Sequence, residues 1–199
     1  MRVFITGATG VLGTRLVAEL ANRGHEPVGL VRDDDDDGAR TVERRGGTPA
    51  HGDLFDAGSL ADTAGDADAV VHAATSTPTK PKPSAEDWGE NDRVRVEGAA
   101  ALEAAARVDA DRFLTHTVVR ASRNRDGSAF DEDASPNTDR TTASVVDAER
   151  AVREAGRRRD AGSTRRSSGT AGSTARTPGR RATSHGACWP ATSRWPGAG

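Results

Sequence analysis

Apolar positions in this chain fall into two alternating patterns, and each predicts an element. The run Val3-Phe4-Ile5 inside Arg2 to Thr6 reads as a buried strand. Leu12, Leu16, Val17 and Leu20 then recur at helical spacing, and Arg23-Gly24 ends that helix with a glycine C-cap signal. Glu26 to Val31 is a second strand, and Thr48 to His51, preceded by Gly46-Gly47, is a short third. Asp56 to Thr63 is a short helix. Asp68 to Ala74 is an almost unbroken apolar run, the mark of a strand buried on both faces of a parallel sheet. A proline-rich loop, 76–83, leads to Ser84-x-x-Asp87, a candidate capping box. A helix follows from Trp88 to Val108, with Val94, Leu102, Ala105 and Ala106 inward. Arg112 to Thr117 is a fifth strand, 120–140 a polar loop, and Thr141 to Ala155 a helix with Val145, Val146, Ala148 and Val152 apolar. Strands alternating with helices predict an α/β fold: a doubly wound parallel sheet of Rossmann type in the order 3-2-1-4-5.

The junction of the first strand and helix carries the candidate chemistry. Gly7, Gly10 and Gly13 follow one another at spacings of three in TGATGVLG. Gly7 lets the chain leave the strand with backbone angles other residues resist. Gly10 has no side chain, so a pyrophosphate can approach the backbone. Gly13 lets the helix lie close on the sheet. The free N–H groups and positive dipole end of the helix then face the phosphates. Thr9, Val11 and Leu12 belong to the same candidate cradle. The plainer reading is a tight strand–helix turn with no ligand. A carboxylate about 20 residues beyond such a turn takes the adenosine ribose hydroxyls, and Asp33 lies there. Arg32 beside it pairs instead with a 2′-phosphate, which favours NADP. Asp33 to Asp37 otherwise reads as a solvated loop. His72 reads as a packed strand histidine, since nothing nearby has metal-ligand spacing, and no metal site is expected.

The Gly-x-x-Gly-x-x-Gly spacing resembles the extended and atypical short-chain dehydrogenase/reductases, the NAD-dependent epimerase/dehydratase group, over residue 1 to about Gly156. The resemblance implies an oxidoreductase using NADP or NAD on a sugar nucleotide or similar carbonyl compound. Strands ending in Val-Arg lean to NADP in that group, and so does this chain. Gly52-Asp53-Leu54 looks like the family's Gly-Asp-Leu. There the aspartate accepts from the adenine amino group and the backbone N–H of the next residue, here Leu54, bonds the ring. Ala73, Ala74 and Thr75 match the small residues across which the cofactor lies. VRVEGAAALEAAA resembles the family's VNVEGTxNLLEAA helix, with Arg95 where the family has asparagine. RFLTHT matches RFVYVS, which makes Thr117 the nearest fit to the hydroxyl that polarises the substrate carbonyl; a threonine that simply favours strands is the alternative. The family's general acid/base is the tyrosine of Tyr-x-x-x-Lys, its pKa lowered by the lysine. This chain has no tyrosine, and the aligned stretch SVVDAERAV puts valine near the tyrosine site and Glu149-Arg150 near the lysine site. A non-catalytic dinucleotide sensor or scaffold, or an inactive fragment, are therefore alternatives to an enzyme.

Composition changes the picture at one place. Residues 1–152 carry 18 Lys+Arg against 28 Asp+Glu, and residues 153–199 carry 10 against 2. The first segment has the acidic surface of a halophilic protein. The second contains no Val, Ile, Leu, Met or Phe, and cannot bury enough apolar surface to offset its ordering entropy. Residues 1–155 are thus expected to form the dinucleotide-binding domain and 156–199 a low-complexity basic tail. An out-of-frame reading of a GC-rich gene gives such a composition; a natural disordered tail is the alternative, and a nucleic-acid-binding arm a third. The single cysteine, Cys188, excludes a disulfide framework. No membrane-length apolar run occurs and the chain enters a strand at once, so a cytoplasmic protein is expected, with a dinucleotide and a small molecule as partners.

Overall fold

β1 (Arg2–Thr6) lies at the centre of a five-stranded parallel sheet and sets the order of everything around it. The computed structural model describes residues 1–105, 110, 112–122, 124, 126–131 and 134–153. After β1 come α1 (Val11–Asn22), β2 (Glu26–Val31), α2 (Asp36–Arg44), β3 (Thr48–His51), α3 (Ala57–Ala64), β4 (Ala69–His72), α4 (Gly89–Ala105) and β5 (Arg112–Thr115). A 3₁₀ turn, Val119–Ser122, and a helical stretch at 143–153, here α5, complete the described chain. The sheet order is β3-β2-β1-β4-β5, as the alternation of strand and helix predicts. The chain winds from β1 out to β3, then returns past β1 to β4. The order therefore reverses between β1 and β4, and a crevice opens there at the carboxyl ends of the strands.

The pleat of β1 divides the core in two. Val3 and Ile5 point to one face, where they meet Val17, Val31 and Val42, with Leu16 and Leu20 packed alongside. Phe4 points to the other and packs with Val28, Leu30, Leu60, Val70 and Leu102. α1 and α2 thus cover one face and α3 and α4 the other. The three inner strands, β1, β2 and β4, are covered on both sides, which is why they read as runs and not as alternations, whereas the edge strands β3 and β5 stay partly exposed.

One element was hidden by its charge. The run Asp33 to Asp37 reads as a solvated loop, yet Asp35 caps α2 and its carboxylate accepts from the Gly38 N–H at 2.8 Å. Asp36 and Asp37 occupy the first turn, where the helix dipole favours negative charge. Ala39 and Val42 supply the apolar face that holds the helix down. Elsewhere the differences lie at ends. Asp56 caps α3, accepting from the Gly58 and Ser59 N–H groups. β4 stops at His72, so Ala73 and Ala74 have left the sheet. β5 stops at Thr115, so Thr117 is not a strand residue and strand propensity does not account for it. Thr141 and Thr142 form a turn before α5. Ser84 and Asp87 form the reciprocal capping box, at 2.7 and 3.3 Å. Lys80 and Ser84 hold the Asp87 carboxyl down at about 2. The expectations for Ala106 to Val108, for residues 154–155 of the last helix and for the basic tail lie outside the described residues. No described helix is long and apolar enough to cross a membrane.

Candidate functional site

Each glycine of the turn has a different reason to be glycine. Gly7 has φ +70°, and a Cβ there would lie 2.6 Å from the Ala74 backbone. The turn after β1 therefore presses against the exit of β4, a contact no side chain permits. A Cβ on Gly13 would lie 2.0 Å from the Gly7 carbonyl oxygen, so this glycine seats α1 against the turn. Gly10 differs. Its φ is −75°, it is exposed, and a Cβ would meet only the Gly7 carbonyl oxygen, at 3.2 Å. The fold itself barely requires glycine at this position; the approach of a ligand would.

Gly10 is also the N-cap of α1, and no side chain caps that helix. A helix N-terminus presents N–H donors and partial positive charge. Here it lies at the carboxyl edge of the sheet, and no described side chain hydrogen-bonds to it. Val11 is 88% exposed and Leu12 46%, so two large apolar side chains flank the same opening. An uncapped helix N-terminus, a backbone that can be approached at Gly10 and apolar flanks fit a pyrophosphate joined to flat rings.

The other candidate residues lie along the same carboxyl edge. The register pairs Thr6 with His72 and Val31 with His51, so the exits of β1, β2, β3 and β4 stand side by side. Ala73 continues from β4 and donates its N–H to the Thr6 carbonyl at 3.1 Å; Ala74 is half-buried against Gly7, and Thr75 and Thr9 are exposed. Arg32 follows β2 with its side chain 82% exposed, 3.8 Å from the Asp34 carboxylate. Asp33 is exposed beside it. Gly52 donates to the Val31 carbonyl at 3.0 Å, which brings Asp53 next to Arg32 along the edge. Asp53 is exposed and accepts from the Phe55 N–H at 2.9 Å. The Leu54 side chain turns inward to the core, touching the space at Gly98. Any ligand contact from Leu54 is thus left to its backbone.

His72 is a packed strand histidine, and its surroundings define its proton. Nε2 lies 3.1 Å from the Val94 carbonyl, which only accepts, so Nε2 carries the hydrogen. Nδ1 then accepts from the Thr6 hydroxyl at 2.7 Å. Burial pushes the imidazole down to about 4; the Val94 carbonyl opposes this and His116 adds to it. An unfolded chain, with the ordinary value of 6.5, binds the proton more readily. The stability from burying neutral His72 is therefore complete above pH 6.5 and is lost as pH falls toward 4. The expected loss over that window is about 3 kcal/mol. Denaturant midpoints of wild type and His72→Gln between pH 7 and 4 check this; parallel pH profiles would remove His72 as the cause.

At the far end of the edge, past β5, the Thr117 hydroxyl donates to the Glu149 carboxylate on α5. Arg153 stands 3.7 Å from the other oxygen of Glu149. The motif comparison pointed to Thr117 and marked Glu149 only as a departure from lysine; the structure joins the two. Asn91 on α4 had not been singled out. It is fully buried and accepts from the Ser76 N–H at 3.1 Å, pinning the loop after β4. Its signal was a polar residue at an inward helical position, three before Val94.

The comparisons with known proteins agree with this geometry. The model of the NAD(P)H-binding family matches residues 7–159. A 3-diazoavenalumate denitrifying reductase from a Streptomyces species is 33% identical over 160 residues, 76% of this chain and 51% of that protein. An uncharacterised protein of Schizosaccharomyces pombe is 42% identical over 74 residues, 37% of this chain and 24% of that protein. Among solved structures, the UDP-glucuronic acid 4-epimerase of Bacillus cereus, in complex with UDP-glucuronic acid and NAD, superposes with a TM-score of 0.64 at 17% identity, over 79% of this chain and 52% of its own. The UDP-N-acetylglucosamine 4-epimerase of the same organism gives 0.64 at 20%, over 80% and 52%. These two likenesses show a shared Rossmann fold. The chain spans about half the length of these structures and of the reductase, and about a quarter of the yeast protein. With the family model covering the glycine turn and every described element after it, this chain belongs to the NAD(P)H-binding family, and its ligand class is a nicotinamide dinucleotide.

Proposed function

We propose that the crevice between β1 and β4 holds NADPH in preference to NADH, within a dinucleotide-binding domain of residues 1–155, and that the protein acts on a sugar nucleotide or similar carbonyl compound. The observation that carries the reading is the uncapped N-terminus of α1 behind an approachable Gly10. In this reading Gly7, Thr9, Gly10, Val11, Leu12 and Gly13 hold the pyrophosphate. Asp53 and the Leu54 backbone take the adenine, and Ala73, Ala74 and Thr75 lie beneath the nicotinamide half. The bound dinucleotide supplies or accepts hydride; the protein's part is orientation and electrostatics. Thr117 bonds the substrate oxygen, as the resemblance implies, once its single hydroxyl hydrogen turns away from the Glu149 carboxylate.

The lean to NADP rests on Arg32, and the aspartate run opposes it unless those carboxylates are turned elsewhere. Asp35 is occupied as a cap and Asp37 pairs with Arg40 at 3.1 Å. Two of the five aspartates are thus engaged at α2, and the exposed Arg32 guanidinium, 3.8 Å from Asp34, would exchange that carboxylate for a 2′-phosphate. Titration of the protein with NADPH, NADH, NADP and NAD in molar KCl, followed by cofactor fluorescence and its displacement, tests both points. Saturable binding is expected, with NADPH about 10-fold tighter than NADH, a gap of roughly 1.4 kcal/mol. Arg32→Ala should close that gap. An NADH preference that survives in Arg32→Ala and is lost in Asp33→Ala would assign NAD instead.

A second reading has its own observation. The chain contains no tyrosine, and the residue near the family's lysine site is Glu149, engaged with Thr117. A dinucleotide sensor without turnover needs neither. Tight NADPH binding with no oxidation in the presence of UDP-sugars and simple carbonyl compounds would favour it.

A further inference from the structure

The part of α4 that meets α5 and the loop after β4 carries donors that the described residues leave partly unsatisfied. Arg95 is half-buried there, and its only hydrogen-bond partner among the described residues is the Ser144 hydroxyl, at a long 3.4 Å from Nη1. A guanidinium offers five N–H donors and no acceptor. Burial holds the Arg95 pKa below its ordinary value, with Asp92 opposing the shift. One turn earlier on the same helix face is Asn91. It is fully buried, its oxygen is used by the Ser76 N–H, and its NH₂ group has no partner among the described residues. A buried donor without an acceptor costs about 1–3 kcal/mol. Asn91 is such a donor, and Arg95 beside it at this corner is a half-buried guanidinium with one long hydrogen bond among the described residues.

The corner's position is informative. Ser144 opens α5, and Glu149, bonded to Thr117, lies farther along the same helix. Ser76 belongs to the loop that continues from Ala73-Ala74-Thr75. Arg95 therefore stands between the end of the crevice assigned to the nicotinamide and the helix that follows Thr117. Of the acidic groups nearest the corner, Glu149 is engaged by Thr117 and Arg153. Asp92 stands between two arginines: its Oδ2 accepts from Arg140 at 3.4 Å, its charge also favours the Arg95 guanidinium, and its buried Oδ1 has no hydrogen-bond partner among the described residues.

We infer that Arg95 binds an oxyanion of the substrate, a carboxylate or a phosphate, and so determines which carbonyl compounds this chain accepts. This rests on the proposed dinucleotide site, whose nicotinamide end it adjoins. A planar guanidinium pairs with both kinds of oxyanion through two parallel hydrogen bonds. The Asn91 NH₂ donates to the same group once the loop pinned at Ser76 moves to admit it.

The test uses the full chain with NADPH bound, titrated separately with oxalate, inorganic phosphate and neutral oxamide, read by cofactor fluorescence and by calorimetry. One oxyanion is expected to bind saturably and oxamide not to bind; whether oxalate or phosphate binds tells carboxylate from phosphate. Arg95→Met should weaken that anion at least 10-fold while the NADPH Kd changes less than twofold, and Arg95→Lys should recover part of the loss. Equal anion binding by wild type and Arg95→Met would overturn the assignment, as would no binding of either anion by wild type. Failure of NADPH itself to bind would sink the dinucleotide reading alone. Calorimetry of the anions on the same protein without cofactor would then judge Arg95 by the same two comparisons.

Discussion

Gly10→Asp is expected to remove NAD(P)H binding by 100-fold or more, about 3 kcal/mol, while leaving the protein folded. Aspartate is a favoured N-cap residue, and Gly10 is the N-cap of α1. Its carboxylate would accept from the first N–H groups of the helix, the donors a phosphate would use. It would also set a negative charge where the pyrophosphate charges must lie. The backbone at this position is extended, and a Cβ would meet only the Gly7 carbonyl oxygen, at 3.2 Å, a tight contact that a small shift of the turn relieves. The unfolding midpoint should hold or rise slightly. Fluorescence titration beside a denaturation curve checks both halves. Undiminished cofactor binding in a folded Gly10→Asp would mean that the α1 N-terminus does not hold the phosphates.

Gly13→Ala, three residues on, is expected to do the reverse. The new Cβ would lie 2.0 Å from the Gly7 carbonyl oxygen and 2.7 Å from the Ala8 Cα. Both are backbone atoms in the turn that Gly7 presses against Ala74, so neither can swing aside as a side chain would. α1 must move off the sheet, which separates Leu16, Val17 and Leu20 from Val3 and Ile5. A loss of about 3 kcal/mol or more is expected from overpacking of this kind. The measurement is the denaturant midpoint without ligand. A loss below about 1 kcal/mol, within the range of an ordinary surface change, would show that the turn can yield, and the role given to Gly13 would fall. Together the two substitutions separate a glycine needed by the fold from one needed by the ligand.

Much of the site could be read from the chain because its signals are local. Val3-Phe4-Ile5, the glycines at 7, 10 and 13 and the leucine spacing of α1 lie within twenty residues, and each acts through its own backbone. Neighbouring runs of strand and helix then leave few topologies open, and the observed order is the expected one. The aspartate run shows where local reading fails. As composition it is a charged loop; as geometry, Asp35 is a cap and Asp36 and Asp37 a first turn. What made it a helix was the packing of its apolar face, Ala39 and Val42, against β2 and α1, which no charge count contains.

The sequence by itself determined the doubly wound sheet, the glycine turn and the candidate cofactor residues along it. Periodicity and backbone freedom are properties of a residue and its near neighbours. Only the tertiary structure decided the pairs. Thr6 meets His72 across 66 positions, Arg95 meets Ser144 across 49, and Thr117 meets Glu149 across 32. It also decided that Gly10 is free where Gly13 is trapped, though both look alike in the motif. Such facts depend on how far apart atoms stand once strands are paired and helices packed, and spacing along a chain does not encode that distance.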